Sequence, residues 1–386
     1  MDIVTKVCTK GIWNNTVPGI EFDERGVSNY AKLFRRLTEE FPRGEKGKRD
    51  WDEIISKIKN KGSNKDYDCV IGVSGGTDSC YLLYLAKEVY GLKPLAVNLD
   101  NGWNSDIAVK NIYKVTKALN IDLETYVIDY EEIKDLLRSY MKAGLPWVDI
   151  PTDMAIKSIL YRIAAREGIK FILRGNDFRS EGSQPNEWTY GDGKQIKAVH
   201  KRFGKVKLKT FPNYTLYNTI INGAIRGIKS VYPFYYLDYN KKDAMSFLKK
   251  EYGWEYYGGH HHENHFTKFA ISYWLYEKFG IDKRLITLSA QILSNEVERK
   301  EALEEVSKLP YKPEEVEEMI EFVSKKLDLN KEEYKQIWES KNKTYKDYPS
   351  DAILFERLTK WTTPFLKFIF LHKPQSVFQA EMRNKK

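Results

Sequence analysis

The sequence predicts a doubly wound, parallel α/β sheet with a small N-terminal segment before it and a helical C-terminal region after it. Three observations carry this. Short apolar runs of strand length recur at 69–73, 94–99, 123–128 and 170–174. Stretches of helical length separate them, at 78–90, 105–119, 130–141 and 152–167. Strands alternating with such helices argue for parallel crossovers. From about residue 260 the pattern is helical throughout.

Residues 1–65 are polar and punctuated by Pro18-Gly19, Arg25-Gly26 and Arg43-Gly44, with a charged helix around Trp51 to Lys59 and a Lys-Gly-Ser-Asn-Lys linker at 61–65. The first strand, Cys69-Val70-Ile71-Gly72-Val73, runs into Ser74-Gly75-Gly76-Thr77-Asp78-Ser79 and then a helix carrying Tyr81, Leu82, Leu83, Leu85 and Ala86. The glycines permit a tight turn and a close backbone approach to a ligand. Segment 178–210, with Gly182, Pro185, Gly191, Gly193 and many lysines, reads as a long excursion, and loops of that length are functional or mobile. C-terminal helices are predicted at 264–279, 284–294, 296–308, 313–326, 331–340 and 350–360, broken by Pro310 and Pro313. Three units follow: 1–65, 66–258 and 259–386.

The 386 residues are 42% hydrophobic and 14% aromatic, which excludes disorder as the default. No apolar stretch reaches the roughly 18 residues that span a bilayer, and no long apolar signal segment opens the chain. A cytoplasmic protein without membrane contact is expected. Three cysteines, Cys8, Cys69 and Cys80, make no disulfide framework. The net charge of +9 suits a polyanionic nucleotide or nucleotide-sugar substrate as well as RNA. No RNA-binding domain is visible, so nucleic acid is not the expected partner.

Ligands of parallel sheets sit beyond the carboxyl ends of the strands, and the polar motifs fall there. Gly72, Val73 and Ser74–Ser79 end the first strand and start a helix, where free N–H groups and the helix dipole make an anion site. Asp100-Asn101-Gly102-Trp103 ends the second strand, as a nucleotide contact or a plain turn. Arg174-Gly175-Asn176-Asp177 ends a later one. Arg174 and the N–H groups there fit a phosphate or activated substrate, and equally a βα turn with Asn176 or Asp177 as helix cap.

Tyr256-Tyr257-Gly258-Gly259-His260-His261-His262-Glu263-Asn264-His265-Phe266-Thr267-Lys268-Phe269 is the densest polar cluster. His262-Glu263-Asn264-His265 is one residue short of the zincin spacing, although His261 and His265 are four apart. A substrate site at a helix start is favoured over a metal or a solvated surface. Glu263 is suited to act as a base or orient ammonia, and Lys268 to neutralise phosphate. Cys8 has no thiolate partner at metal-ligand spacing, so no structural zinc is expected.

The Ser74–Ser79 hexapeptide resembles the PP-loop, the pyrophosphate-binding signature of enzymes that split ATP between its α- and β-phosphates. Taken with the 256–269 stretch, Pro18–Gly26 and Leu288–Ser294, the chain from about residue 8 to about 370 is similar to the N-acetyl sugar amidotransferase family of surface-polysaccharide pathways. That resemblance implies ATP and Mg²⁺, with Asp78 a ligand of the metal. It implies a nucleotide-linked N-acetyl sugar converted to its acetamidino form. The amide oxygen takes AMP from ATP, and ammonia then displaces the AMP. Asp78, Glu263, Lys268 and Arg174 are the implied catalytic set. Asp100, Asn101, Gly175 and Asn176 would join the loop on the nucleotide, and Trp103, Asp177, His261 and His262 would face the substrate. Ammonia would come from a separate glutaminase subunit, with a cyclase-like barrel subunit as companion. The family's paired Cys-x-x-Cys positions match Cys8, Gly11, Ser28 and Ala31, so three of four ligands are missing and the zinc-ribbon-like element should be metal-free. Two rivals stand beside this reading: a tRNA thiolase or lysidine-type ligase with the same loop, and a non-catalytic scaffold subunit for a glutaminase.

Overall fold

Five parallel strands form one sheet in the order β3-β2-β1-β4-β5, with β1 at Cys69–Gly72, β2 at Pro94–Asp100, β3 at Leu123–Val127, β4 at Phe171–Leu173 and β5 at Lys229–Val231. The computed structural model describes residues 4–259, 262–352, 354, 366 and 368–383. Four strands match the apolar runs of the sequence. The fifth, Lys229-Ser230-Val231, has no such run and is held by its pairing with β4.

The central strand β1 is buried on both faces, which is why it reads as continuous apolar sequence. Cys69 and Ile71 pack into one core with Leu82 and Leu83, while Val70 packs into the other with Ile159 and Leu160. Strand order reverses direction between β1 and β4, and a parallel sheet opens a crevice at such a point.

Helices cover both faces. The first two, α1 (Asn29–Glu40) and α2 (Gly44–Gly62), lie in the N-terminal segment that reads as mostly polar. The helix starting the loop's far side is α3 (Thr77–Tyr84), and α4 (Asp106–Ala118), α5 (Tyr130–Lys142) and α6 (Ile150–Arg166) follow. Leu33, Leu37, Trp51 and Ile58 from α1 and α2 join the core that holds α3. Cys8, Ile12, Trp13 and Tyr30 instead join α5 and the C-terminal Phe266, Trp274 and Ile286. Shared cores thus run across positions 65 and 258.

Segment 178–210 corrects the sequence reading. It is three helices, Phe178–Glu181, Asn186–Thr189 and Gly193–Phe203. The residues that look like loop punctuation bound them: Gly182 ends the first at φ +71, Pro185 precedes the second and the Asp192 carboxylate caps the third. The longest packs on α5, whose buried Glu132 and Asp135 accept backbone N–H groups of Lys205, Val206, Lys209, Thr210 and Phe211.

The C-terminal helices occur close to their predicted places, as His265–Phe269 continuing through wider-wound Ala270–Lys278, Arg284–Leu293, Arg299–Ser307, Val316–Lys326 and Lys331–Glu339. Most of the predicted 350–360 helix lies outside the described residues. At the N-terminus the buried Cys8 Sγ accepts from Lys10 N and from Ser28 N at 3.3 Å. A side chain at Gly11 would meet the Trp13 ring at 2.7 Å and Ser289 Cβ at 2.9 Å. Apolar packing fills that position. Among the described residues no helix is long and apolar enough to cross a membrane.

Candidate active site

A cavity of about 460 Å³ opens at the carboxyl edge of the sheet. Gly72, Val73, Ser74, Gly76, Asp78 and Ser79 line one side. Gly75 sits in the turn at φ +80, where a Cβ would lie 2.3 Å from the Ala108 carbonyl oxygen. Only glycine fits there. Trp254 Nε1 donates to the Gly75 carbonyl at 2.9 Å and fixes the turn. Thr77 begins α3. Gly76 precedes it and supplies no capping side chain, so the N–H groups of the first turn have no partner within the helix. Such a turn suits an anion. The loop's own hydroxyls meet its outer amides only loosely, Ser74 Oγ accepting from Gly76 N and Ser79 Oγ from Ser74 N, both at 3.3 Å.

Arg174, Gly175 and Asn176 form the wall beyond β4. A Cβ at Gly175 would meet the backbone and Cβ of Asp78 at 3.1–3.2 Å, so this glycine lets the two turns touch. Asn101 comes from beyond β2.

The C-terminal region reaches the cavity through a short antiparallel contact. Ser105 N donates to Glu263 O at 2.8 Å, His265 N donates to Trp103 O at 2.9 Å, and Asn264 Nδ2 donates to Asn101 Oδ1 at 3.2 Å. This latch sets the buried Glu263 carboxylate on the cavity wall, with Ser74 Oγ 3.4 Å from Oε1. Thr267 Oγ1 donates to Asp149 Oδ2 at 2.6 Å on the same wall.

Three lysines on the wall escaped the sequence reading: Lys157 of α6, Lys241 and Lys283. Lys241 Nζ is 2.9 Å from Asp78 Oδ2, and the Tyr239 hydroxyl donates to Asp78 Oδ1. Burial works against the Lys241 charge, but Asp78 and the Tyr257 hydroxyl more than offset it and raise its pKa above the ordinary value. Each Asp78 oxygen thereby accepts one hydrogen bond. Asp78 as a Mg²⁺ ligand would share these oxygens with Lys241 and Tyr239. Burial, then Arg174, pushes Lys157 down to about 8.

Other expected residues do not reach the cavity. Trp103 is fully buried against Phe266 and Phe322, with Lys326 Nζ 4.5 Å above its ring. Asp177 is buried, caps Phe178–Glu181 and pairs with Arg43 at 3.0 Å. The capping alternative therefore holds for it, and burial raises its pKa to about 6. Lys268 points to Glu315 at 3.3 Å. The Asp100 carboxylate accepts from Gly102 N at 2.8 Å and closes its own turn. His262 packs on Gly259, and His261 lies outside the described residues. The exposed His265 packs on Phe322. Among the described residues no group of three or more His, Cys, Asp or Glu is placed to hold a metal.

Residues 263–362 match the family model of the LPS biosynthesis protein WbpG-like C-terminal domain. A curated relative, an uncharacterized protein (MJ1599) of Methanocaldococcus jannaschii, is 33% identical over 139 residues, which are 35% of this chain and 47% of that protein. The chain thus spans about half the length of the curated relative it matches. Among solved structures it is similar to the NH3-dependent NAD synthetase of Campylobacter jejuni (16% identity, 39% of this chain and 58% of that one, TM-score 0.26). It is also similar to the U34-tRNA thiolase NcsA of Methanococcus maripaludis with its [4Fe-4S] cluster (14%, 77% and 90%, 0.31). A third is the NMN synthetase of Francisella tularensis (14%, 61% and 94%, 0.28). Scores this low carry no functional argument. Over residues 263–362 the chain carries the signature of the WbpG-like C-terminal domain, latched to a parallel α/β layer through Glu263, Asn264 and His265.

Proposed function

We propose that this chain is an ATP-dependent amidotransferase that converts the N-acetyl group of a nucleotide-linked sugar to an acetamidino group. One observation carries the reading: the Ser74–Ser79 turn, at the start of a helix, opens on the same cavity as Glu263, the first residue of the WbpG-like region. The family's description, LPS biosynthesis, supports a sugar acceptor.

An amide carbonyl is a poor electrophile and its oxygen a poor leaving group. In the proposed reaction the carbonyl oxygen attacks the α-phosphorus of ATP and pyrophosphate leaves. Ammonia then adds to the activated carbon, and AMP departs with the former carbonyl oxygen. The first-turn N–H groups of α3 are proposed to receive the departing diphosphate, where each aimed donor would contribute about 3 kcal/mol. Glu263 is proposed to take the proton from ammonium or from the adduct. Mg²⁺ is proposed to arrive with the nucleotide. Ammonia is proposed to come from a separate glutaminase subunit, with a cyclase-like barrel subunit as companion.

The thiolase alternative needs reactive thiols at the site. Cys8, Cys69 and Cys80 are all buried, none lies on the cavity wall, and burial pushes Cys80 up to about 12. The scaffold alternative gains nothing from a cavity lined by Ser74, Gly76, Asp78 and Ser79 of the loop.

The test is to incubate the protein with ATP, ammonium and a panel of N-acetylated nucleotide sugars. AMP, pyrophosphate and a product lighter by the difference between O and NH are expected with one of them. Release of ADP, or no nucleotide turnover with any acceptor, would contradict the proposal.

A further inference from the structure

We propose that Lys157 and Arg174 form a second oxyanion subsite, across the sheet edge from the Ser74–Ser79 turn, which takes a negatively charged group of the acceptor substrate. The inference rests on the proposed function for the word acceptor, but its test reads anion binding directly.

The two anion sites lie on opposite faces of the sheet. The α3 helix packs with Cys69 and Ile71 on one face, and α6 packs with Val70 and Val97 on the other. Leu160 of α6 lies over β1, since a Cβ at Gly72 would be 3.2 Å from its Cδ1. Lys157 is one turn nearer the carboxyl edge, and Arg174 directly follows β4 beside it. Both line the cavity.

The charges of the cavity leave these two unbalanced. Lys241 is neutralised by Asp78 at 2.9 Å. Lys283 feels the fields of Asp153, Glu181 and Asp149. Lys157 and Arg174 have no carboxylate within ion-pair distance among the described residues. The carboxylate one turn before Lys157 on α6, Asp153, instead accepts from Trp147 Nε1 at 2.7 Å. What holds the cations is aromatic. Lys157 Nζ lies 4.5 Å from the centre of the Tyr214 ring, and Arg174 feels the fields of the Tyr232, Tyr161 and Tyr214 hydroxyls. Two like charges confined together in a low-dielectric pocket repel one another until an anion arrives. Burial first, and Arg174 second, lower the pKa of Lys157. The Tyr214 ring supports the Lys157 ammonium without neutralising it, and both groups face the cavity with their charge left for a ligand.

The test titrates inorganic phosphate into the protein saturated with AMP and pyrophosphate, by calorimetry, with acetate in a parallel arm. Wild type should bind one equivalent of phosphate or of acetate, and the preferred probe distinguishes a phosphoryl from a carboxylate group on the acceptor. Lys157→Met should weaken that binding at least tenfold while AMP and pyrophosphate affinities stay within twofold. Lys157→Arg, which keeps the charge, should retain it and controls for folding. Unchanged anion binding in Lys157→Met would overturn the proposal. So would a tenfold loss of AMP affinity in that variant, which would assign the pair to the nucleotide's α-phosphate. Failure of pyrophosphate alone to bind would count against the proposed function, and phosphate alone would still report on Lys157.

Discussion

Lys241 Nζ stands 2.9 Å from Asp78 Oδ2, joining the first turn of α3 to the first residue of the helix Lys241–Tyr252. The pair places a cation beside the first-turn amides, which in the proposed reaction receive the departing diphosphate. Asp78→Ala should abolish pyrophosphate formation, a loss of at least ~100-fold. It should also destabilise by about 3 kcal/mol, because the ammonium loses its partner in a largely buried place. Adding Lys241→Met should restore most of the stability and none of the turnover. Urea denaturation and a pyrophosphate assay on the same samples check both. Wild-type turnover in Asp78→Ala would remove the loop from the mechanism.

Glu263 and Lys268 should behave differently, although the sequence groups them. Glu263→Gln keeps the backbone carbonyl that accepts from Ser105 N and removes only the charge at the cavity wall. Amidine formation should fall roughly 100-fold or more with little change in melting temperature. Lys268→Ala breaks one partly exposed pair with Glu315 and should cost less than about 1 kcal/mol, with near-normal turnover. Steady-state rates beside thermal melts decide. A large rate loss in Lys268→Ala at unchanged stability would return it to the site.

Trp103 is a core residue. Trp103→Ala empties a fully buried volume between Phe266 and Phe322 and should cost about 3–5 kcal/mol. Trp103→Phe should cost less and keep acceptor KM unchanged. A raised KM in the Phe variant at full stability would instead place the indole on the substrate.

What the sequence made legible was whatever repeats locally. Val70 to Val73 reads as a strand because β1 is buried on both faces, and Ser74–Ser79 reads as a cradle because Gly75 must adopt positive φ. Contacts between distant segments leave no period. Nothing in one dimension shows that Asn264 meets Asn101, or that the latch turns Trp103 and Lys268 away from the cavity while bringing Glu263 in. Lys157 and Lys241 have no motif. The available signal for Lys157 was a lysine among the buried positions Ala155, Ser158, Ile159 and Leu160 of one helix. Segment 178–210 was misread because Gly182 and Pro185 mark the ends of short helices as readily as they mark loops.

The pH dependence follows from Lys157. Its charge is present below about 8 and lost above it, through burial and the neighbouring Arg174. Tyr214 and Tyr161 near it have raised pKa values and stay neutral through that range, and the nearby carboxylate on its own helix is Asp153, which accepts from Trp147 Nε1. The KM for an anionic acceptor should therefore rise as pH passes 8, and Lys157→Arg should hold KM flat to higher pH. A KM profile that is the same in both proteins would contradict this.

The most direct test follows the oxygen atom. An acceptor labelled with ¹⁸O in its acetamido carbonyl, turned over with ATP and ammonium, should deliver the label to the phosphate of AMP, as read by mass spectrometry or the ³¹P isotope shift. Label found in pyrophosphate, in inorganic phosphate or released to water, with AMP unlabelled, would show that the carbonyl oxygen never attacks the α-phosphorus.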